Sequence, residues 1–183
     1  MTIVKAALAA ILATIGVAAP LDGPPARQPG DHMAFLERLT GEWSVVAEAT
    51  LGPGQAPVRT EAREVARLLG GKWLVAESTG TAPNGQAVTS IRTLGYAPAE
   101  KRFVGTWISS MQSHLWWHTG TLDDSGAVLT LETDGPIMGD PTNEARYREV
   151  IEIESDDLHV VRSLILGPDG EWFEFARAEY RRE

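Results

Sequence analysis

Residues 87–110 read AVTSIRTLGYAPAEKRFVGTWISS and contain two β-rich segments, Ala87–Tyr96 and Arg102–Ser109, on either side of a turn at Ala97-Pro98. Both segments are rich in β-branched and aromatic residues, which favour strands, and proline is a common turn residue. The same alternation of segment and turn recurs about every ten to twelve residues along the chain, a spacing typical of an all-β sandwich or barrel.

Extending this pattern in both directions predicts ten strands. They are Trp43–Thr50, Arg59–Leu68, Lys72–Thr79, Ala87–Tyr96, Arg102–Ser109, His114–Thr121, Ala127–Glu132, Arg146–Glu154, His159–Leu166 and Glu171–Arg182. Residues 59–69 could also form a helix because Glu, Ala, Arg and Leu dominate them, but the regular spacing of their neighbours favours a strand. Ten sequential strands joined by short turns favour an antiparallel up-and-down barrel, since closure removes both exposed edges.

Two other segments frame the predicted barrel. His32–Leu39 carries four apolar residues at helical spacing and is followed by Thr40 and Gly41, so we predict a short helix there. Asp134–Glu144 is the longest irregular stretch, and we predict either a lid over the barrel mouth or a long hairpin loop.

The run Leu36-Glu37-Arg38-Leu39-Thr40-Gly41-Glu42-Trp43 resembles the LxxLxGxW start of lipocalin-like barrels. The segments that follow it in order are Leu69-Gly70-Gly71-Lys72-Trp73-Leu74-Val75, Gly95-Tyr96, Lys101-Arg102-Phe103, Thr106-Trp107-Ile108, Gly120-Thr121, Arg148-Glu149-Val150 and Gly167-Pro168-Asp169-Gly170. That series resembles the bacterial family named domain of unknown function 1579, from about Leu36 to Arg182. The resemblance implies a lipocalin-like barrel and no established activity. It also implies that the short helix plugs the barrel floor, and that a basic residue near the C-terminus, Arg182 or else Arg181, packs over the Trp43 ring.

The N-terminal residues have the layout of an export signal. Lys5 precedes an uncharged, mostly apolar stretch from Ala6 to Ala19, and Val17 and Ala19 are small residues before a plausible cleavage point. Fourteen residues are too few to span a bilayer comfortably, so we predict a signal peptide at residues 1–19 and a periplasmic or secreted product. Residues 20–30 are rich in Pro and Gly and are predicted to be a flexible lead-in, which leaves residues 31–183 as one barrel domain.

Composition limits the partners of that domain. The chain has 183 residues, a formal net charge of −9 and no run of Lys or Arg, so a nucleic-acid partner or an anionic membrane surface is not expected. It contains no cysteine, which excludes disulfides, thiolate catalysis and cysteinyl zinc sites. The sequence does not predict an oligomeric state.

Charged residues that interrupt apolar rows of alternate strand residues are the candidate cavity groups. Four such rows carry Glu77 (with Trp73), Glu149 (with Tyr147 and Ile151), Arg162 and Arg177. If these rows face inward, we predict a ligand cavity with a few polar groups in an apolar lining. The candidate ligand-binding residues are Trp73, Glu77, Trp107, Trp116, Glu149, Arg162 and Arg177. Alternatively, the four charged residues pair with one another as buried salt bridges, or a row faces solvent.

Metal, haem and nucleophile sites find little support in the sequence. His114, Trp116 and His118 share one strand face, but residues four apart in a strand are separated by roughly 13 Å, too far for two ligands of one metal. Nitrobindins, bacterial lipocalin-like barrels, bind haem through a histidine of the last strand, and Glu171–Arg182 contains none, so we expect no haem or other cofactor. No GxSxG elbow or triad spacing is present.

Three functions remain open. The first is a binding barrel for a small, mainly apolar molecule. The second is an acid–base enzyme of lyase, isomerase or hydratase type that uses an inward carboxylate such as Glu77 or Glu149. The third is a protein-interaction module with a filled core. A ligand-sized cavity would separate the first two from the third, and a carboxylate with a raised pKa and no cation partner would favour the enzyme.

Overall fold

A computed structural model describes residues 31–50, 55–137 and 140–183. The predicted signal peptide (residues 1–19) and lead-in (residues 20–30) lie outside the described residues. The elements are α1 (His32–Arg38), β1 (Gly41–Ala49), β2 (Val58–Leu69), β3 (Trp73–Thr81), β4 (Ala87–Ala97), β5 (Arg102–Ser109), β6 (Trp116–Leu122), β7 (Val128–Ile137), β8 (Asp140–Ile153), β9 (Leu158–Leu166) and β10 (Trp172–Arg182). None of the described helical segments has both the length and the apolarity needed to cross a bilayer.

The ten strands close into one barrel in the order β1-β10-β9-β8-β7-β6-β5-β4-β3-β2. Every neighbouring pair is antiparallel, and β1 and β10 close the ring with Trp43 opposite Arg182. The predicted all-β up-and-down barrel with a short N-terminal helix is therefore confirmed. Residues 59–69 belong to β2, because strand pairing on both sides outweighs their helix propensity.

Helix α1 closes one end of the barrel, which we call the floor, and the opposite end is the mouth. Asp31 caps the helix, since its carboxylate Oδ1 accepts hydrogen bonds from the backbone N–H of Met33 (3.0 Å) and Ala34 (3.1 Å). The helix presents Phe35 and Leu36, which are 1% and 0% exposed, to the strands. The core therefore lies at the floor, where these side chains pack with inward residues of the strands: Ala66, Leu74, Ala76, Leu94, Phe103, Leu129, Leu131, Ile151, Ile153 and Val161.

The floor is closed around Trp43, as the resemblance implied. The indole Nε1 donates to the Leu39 carbonyl oxygen (3.1 Å), and the guanidinium carbon of Arg182 lies 4.1 Å from the centre of the Trp43 ring. The same guanidinium donates to the carbonyl oxygens of Thr40 (2.7 Å) and Arg38 (3.0 Å) at the end of α1. Arg182 thus fastens the helix to the last strand, and the prediction that it packs over Trp43 is confirmed.

Gly41 makes this closure sterically feasible. Its φ of +126° disfavours any residue with a side chain, and a Cβ atom at this position would collide with the Arg182 guanidinium. The glycine two residues before Trp43 therefore serves both the bend after α1 and the close approach of the cation.

We expect Arg182→Gln to lower the free energy of unfolding by about 2 kcal/mol, because it removes a cation over an indole and leaves helix-end carbonyls without their donor. Urea unfolding monitored by far-ultraviolet circular dichroism measures this difference. Arg181→Gln is the matched control, since Arg181 is exposed, contacts Glu179, and should change stability by less than about 0.5 kcal/mol. Equal effects of the two substitutions would contradict the account of the floor.

Residues 134–137 belong to β7 and residues 140–144 belong to β8, which corrects the prediction of an irregular segment. They form the mouth end of the β7–β8 hairpin, with Asp134 opposite Arg146 and Gly135 opposite Ala145, and the register shifts only after Pro136. Packing requires the glycine at position 135. A Cβ atom on Gly135 would lie 2.5 Å from the Trp116 ring, which rests on this backbone.

Candidate functional site

A cavity of about 790 Å³ occupies the mouth half of the barrel. It lies above the apolar floor core and opens between the β5–β6 loop and the β7–β8 hairpin. Its lining residues are Trp107, Met111, Gln112, Ser113, His114, Trp116, His118, Thr133, Pro136, Ile137, Glu144, Tyr147, Arg148, Glu149, Ser163, Leu164 and Phe175. The volume lies in the range of pockets that hold small organic molecules, roughly 300–1,000 Å³.

The cavity exists because one side of the barrel contributes small side chains. Strand register places Ala47, Ala62, Ser78, Ala176 and Ala178 on the inner faces of β1, β2, β3 and β10. These inward residues are only half-buried, so the interior beside them is accessible. Small residues on one wall cannot reach the opposite wall of a ten-stranded barrel, and the space between them stays open.

The opposite wall is aromatic. The Trp116 ring meets the Tyr147 ring edge to face with centroids 5.0 Å apart, and Tyr147 lies 6.1 Å from Phe175 in the same manner. Tyr147 Oη donates to the Pro136 carbonyl oxygen (3.0 Å), which fixes the ring at the mouth. His114 continues this wall, with its ring centroid 4.8 Å from that of Trp116. Such a wall offers flat apolar surface to a ligand.

A charged pair lies at the base of the cavity. Arg92 donates from Nη1 to Glu149 Oε2 (2.6 Å) and from Nη2 to Glu149 Oε1 (3.1 Å), and the two side chains are only 15% and 17% exposed. Burial alone would raise the pKa of Glu149, but the attraction of Arg92 outweighs it and holds that pKa below its usual value. Burial likewise opposes the charge of Arg92, yet Glu149 raises the Arg92 pKa overall. Both groups are therefore ionised and neutralise each other.

Behind this pair lies a second polar group that does not line the cavity. Glu64 is 8% exposed, and its Oε2 accepts a hydrogen bond from the Ser78 hydroxyl (2.5 Å). Burial raises the pKa of Glu64, while Ser78 and Arg92 oppose that rise. Burial, assisted by Glu64, also raises the pKa of the Tyr180 phenol. A polar layer thus separates the apolar floor core from the cavity.

His118 joins this layer from β6. Its side chain is 6% exposed, and its Nε2 lies 3.8 Å from Glu149 Oε2, beyond hydrogen-bond distance. Burial lowers the pKa of His118, although Glu149 opposes this effect, so the imidazole is neutral at neutral pH. The sequence analysis considered His118 only as a metal ligand. Among the described residues, no group of three or more His, Asp or Glu side chains could hold a metal ion.

Three of the seven predicted site residues lie in the cavity: Trp107, Trp116 and Glu149 line it. The prediction that Trp73 and Glu77 face inward was wrong. The inner row of β3 consists instead of Leu74, Ala76 and Ser78, and the first two of these are 2% exposed. Trp73 lies on the outer face, where its ring packs over the backbone of Gly95. A Cβ atom on Gly95 would collide with that ring.

The prediction that Arg162 and Arg177 point into the barrel was also wrong. Arg162 lies opposite Val150 on the outer face of the barrel and forms an ion pair with Glu152 (3.0 Å). Arg177 is exposed beside Arg162. A register shift between Glu174 and Ala176 separates Phe175, which lines the cavity, from Arg177, which does not. The alternative prediction that the four charges pair with one another was also wrong, because Glu149 pairs with Arg92 and Arg162 pairs with Glu152.

Sequence reasoning missed Arg92, Glu64, His118 and Tyr180 as members of the polar layer. The signal for Arg92 was present, because Arg92 shares a strand face with the apolar residues Leu94 and Tyr96.

Comparison with solved structures finds the same fold in Rv2717c. Rv2717c from M. tuberculosis is 15% identical, with a TM-score of 0.58 over 84% of this chain and 98% of that protein. A redesigned β-barrel, b11L5F_LGL, is 10% identical (TM-score 0.44, covering 86% and 99%). EF1p2_mFAP2b bound to DFHBI is 11% identical (TM-score 0.45, covering 84% and 100%). No curated protein matches the sequence significantly.

The family assignment rests on the sequence itself. The model of the family described as "Protein of unknown function (DUF1579)" matches residues 28–182, from before α1 to the last residue of β10. This match spans the whole barrel and agrees with the resemblance seen in the LxxLxGxW segment and the segments after it. The chain therefore belongs to the DUF1579 family.

Proposed function

We propose that this protein is a binding barrel for a small, mainly apolar molecule, which it holds in the mouth cavity. The observation that carries the proposal is an open cavity of about 790 Å³ with an aromatic wall and a neutralised ion pair at its base. An apolar wall supplies affinity through burial of the ligand surface, and a small number of fixed polar groups supplies orientation. The predicted export signal would place this binding outside the cytoplasm.

The electrostatics of the cavity support binding over acid–base catalysis. A catalytic carboxylate is expected to have a raised pKa and no fixed cation partner. Glu149 has a lowered pKa and a bidentate contact to Arg92. Glu64 has the raised pKa, but it does not line the cavity, and Glu77 lies outside the barrel. The open cavity likewise argues against an interaction module with a filled core.

We expect Ser163→Phe to weaken the binding of the neutral fluorescent probe N-phenyl-1-naphthylamine at least tenfold, about 1.4 kcal/mol. Ser163 of β9 lines the cavity and is paired with Glu149 of the neighbouring strand β8. A phenyl ring at position 163 would therefore occupy the ligand space. Fluorescence titration of the purified protein measures the affinity, and a thermal melt checks that the variant folds.

Thr79→Phe is the matched control for that experiment. Thr79 is exposed on the outer face of β3, so the same added ring should leave probe affinity within about twofold of the original protein. Equal loss of affinity in both variants, or no loss in either, would place the probe outside the cavity and contradict the proposal.

A further inference from the structure

The base of the cavity contains a hydrogen-bonding site that the protein does not fill. His118 is the key residue: its side chain is 6% exposed, and it lines the cavity. Within the ranges that the structure describes, its imidazole makes no hydrogen bond, and the nearest polar partner, Glu149 Oε2, is 3.8 Å from Nε2. Since no hydrogen bond from the described residues reaches the imidazole and His118 lines the cavity, its nitrogen can bond a group that enters the cavity.

The geometry selects the kind of group. A separation of 3.8 Å is too long for direct bonding, but one oxygen atom placed beside both atoms could lie within about 2.8 Å of each. The nearby Glu149 carboxylate favours the tautomer with the imidazole proton on Nε2, so that oxygen would accept a hydrogen bond from His118 Nε2 and donate one to Glu149 Oε2, because the carboxylate can only accept. A hydroxyl oxygen performs both roles. An ether or ketone oxygen can only accept, and a carboxylate would meet Glu149 as a like charge.

The charges around the cavity exclude ionic ligands. Both terminal nitrogens of Arg92 are occupied by Glu149, so no net positive charge remains at the base. Arg148 lines the cavity but binds Glu132 and stacks over Trp172 with 4.0 Å to the ring centre. An anion would therefore lose its hydration without gaining a counter-ion. A cation at the base would find Glu149 already neutralised, and the other carboxylate that lines the cavity, Glu144, is exposed to solvent near the mouth.

We infer that the ligand of this cavity is an uncharged apolar molecule with a hydroxyl group, of the alkylphenol or fatty-alcohol class, whose hydroxyl bridges His118 and Glu149. This inference rests on the proposed function, since it names the class of molecule that the same cavity takes. The apolar part of the ligand would lie against Trp116 and Tyr147 nearer the mouth.

Four compounds that differ in one group test the inference: 4-butylphenol, butylbenzene, 4-butylbenzoate and 4-butylbenzylamine. Each is titrated as a competitor of N-phenyl-1-naphthylamine bound to the full-length protein. We expect the phenol to compete at least tenfold more tightly than butylbenzene, and the benzoate and the benzylamine to compete more weakly than the phenol by at least that factor. Equal affinity of the phenol and butylbenzene would show that water fills the site, and preference for either ion would also overturn the inference.

Substitution of the imidazole identifies the group responsible. In His118→Phe the ratio of phenol affinity to butylbenzene affinity should fall to near one, because the ring is kept and the nitrogen is lost. In His159→Phe, a change of the same kind at the floor and outside the cavity, the ratio should remain above ten. Failure of the probe itself to bind would refute the proposed function, whereas probe binding without discrimination among the four compounds would refute only the hydroxyl site.

Discussion

Replacing Glu149 by glutamine is expected to lower the free energy of unfolding by about 3 kcal/mol. The substitution keeps the shape of the side chain but leaves the Arg92 guanidinium, which is 15% exposed, without its counter-ion. Removing one partner of a buried ion pair costs roughly 3–5 kcal/mol, because the remaining charge is uncompensated, and the open cavity favours the lower end of that range. Urea unfolding at pH 7 measures the loss.

Two further variants isolate the origin of this effect. Arg92→Met combined with Glu149→Gln removes both charges, so it should be more stable than Glu149→Gln alone. Glu152→Gln breaks another Arg–Glu ion pair, this one on the outer face, where Glu152 is 39% exposed and lies 3.0 Å from Arg162. A solvated pair contributes at most about 1 kcal/mol. If Glu152→Gln cost as much as Glu149→Gln, burial would not be the cause.

The fold was predictable because its signals are local. The turn residues Asn84-Gly85 lie between β3 and β4, and Asp124-Ser125-Gly126 lie between β6 and β7. Both turns fall between segments that the sequence pattern predicts to be strands. Sequential antiparallel strands leave few topologies, and closure into a barrel is the one that removes both edges. The contact between Trp43 and Arg182 was predicted from the family resemblance and not from a local pattern, since it joins the first and last strands.

The inner faces of the strands were harder to predict because a barrel strand can be apolar on both sides. On β9, Val161 belongs to the inner row and Val160 to the outer row, yet both side chains are buried, so hydrophobicity alone does not choose between the two faces. The sequence analysis took the row that contains Arg162 as the inner one, but Arg162 lies on the outer face. A shift of one residue exchanges the two faces, and nothing in the local sequence excludes it.

The charged pair at the cavity base could not be found from one strand alone. Arg92 and Glu149 lie 57 residues apart, on β4 and β8, and meet only because the barrel closes. The prediction that a buried charge needs a partner holds for Glu149, whose partner is Arg92. The partner was misidentified because the pattern of a single strand does not show which strand lies across the barrel.

Acidification should destabilise the protein strongly through His159. This imidazole is 4% exposed, stacks on Tyr180 with ring centroids 4.3 Å apart, and meets the Trp43 ring at 4.4 Å. Burial, together with the positive charges of Arg92 and Arg182, lowers the pKa of His159 from 6.5 to about 3. Because the folded state resists protonation while the unfolded state does not, stability is highest above pH 6.5 and is lost as the pH falls toward 3.

The size of this effect follows from the pKa difference. Between pH 6.5 and pH 3 the unfolded chain binds about one more proton at His159 than the folded chain, so the free energy of unfolding falls by about 1.4 kcal/mol per pH unit. The total reaches about 4–5 kcal/mol at pH 3. The lowered pKa of His118 acts in the same direction.

His159→Phe separates this contribution from that of the carboxylates. Phenylalanine retains the stack on Tyr180 but cannot bind a proton, so the variant should lose about 2 kcal/mol less than the original protein between pH 7 and pH 5. Both proteins keep His118 and all their carboxylates, whose effects therefore cancel in the comparison. Urea unfolding at pH 7, 6 and 5 gives the two slopes. Parallel slopes would show that His159 is already protonated in the folded state, or that its burial does not oppose the charge.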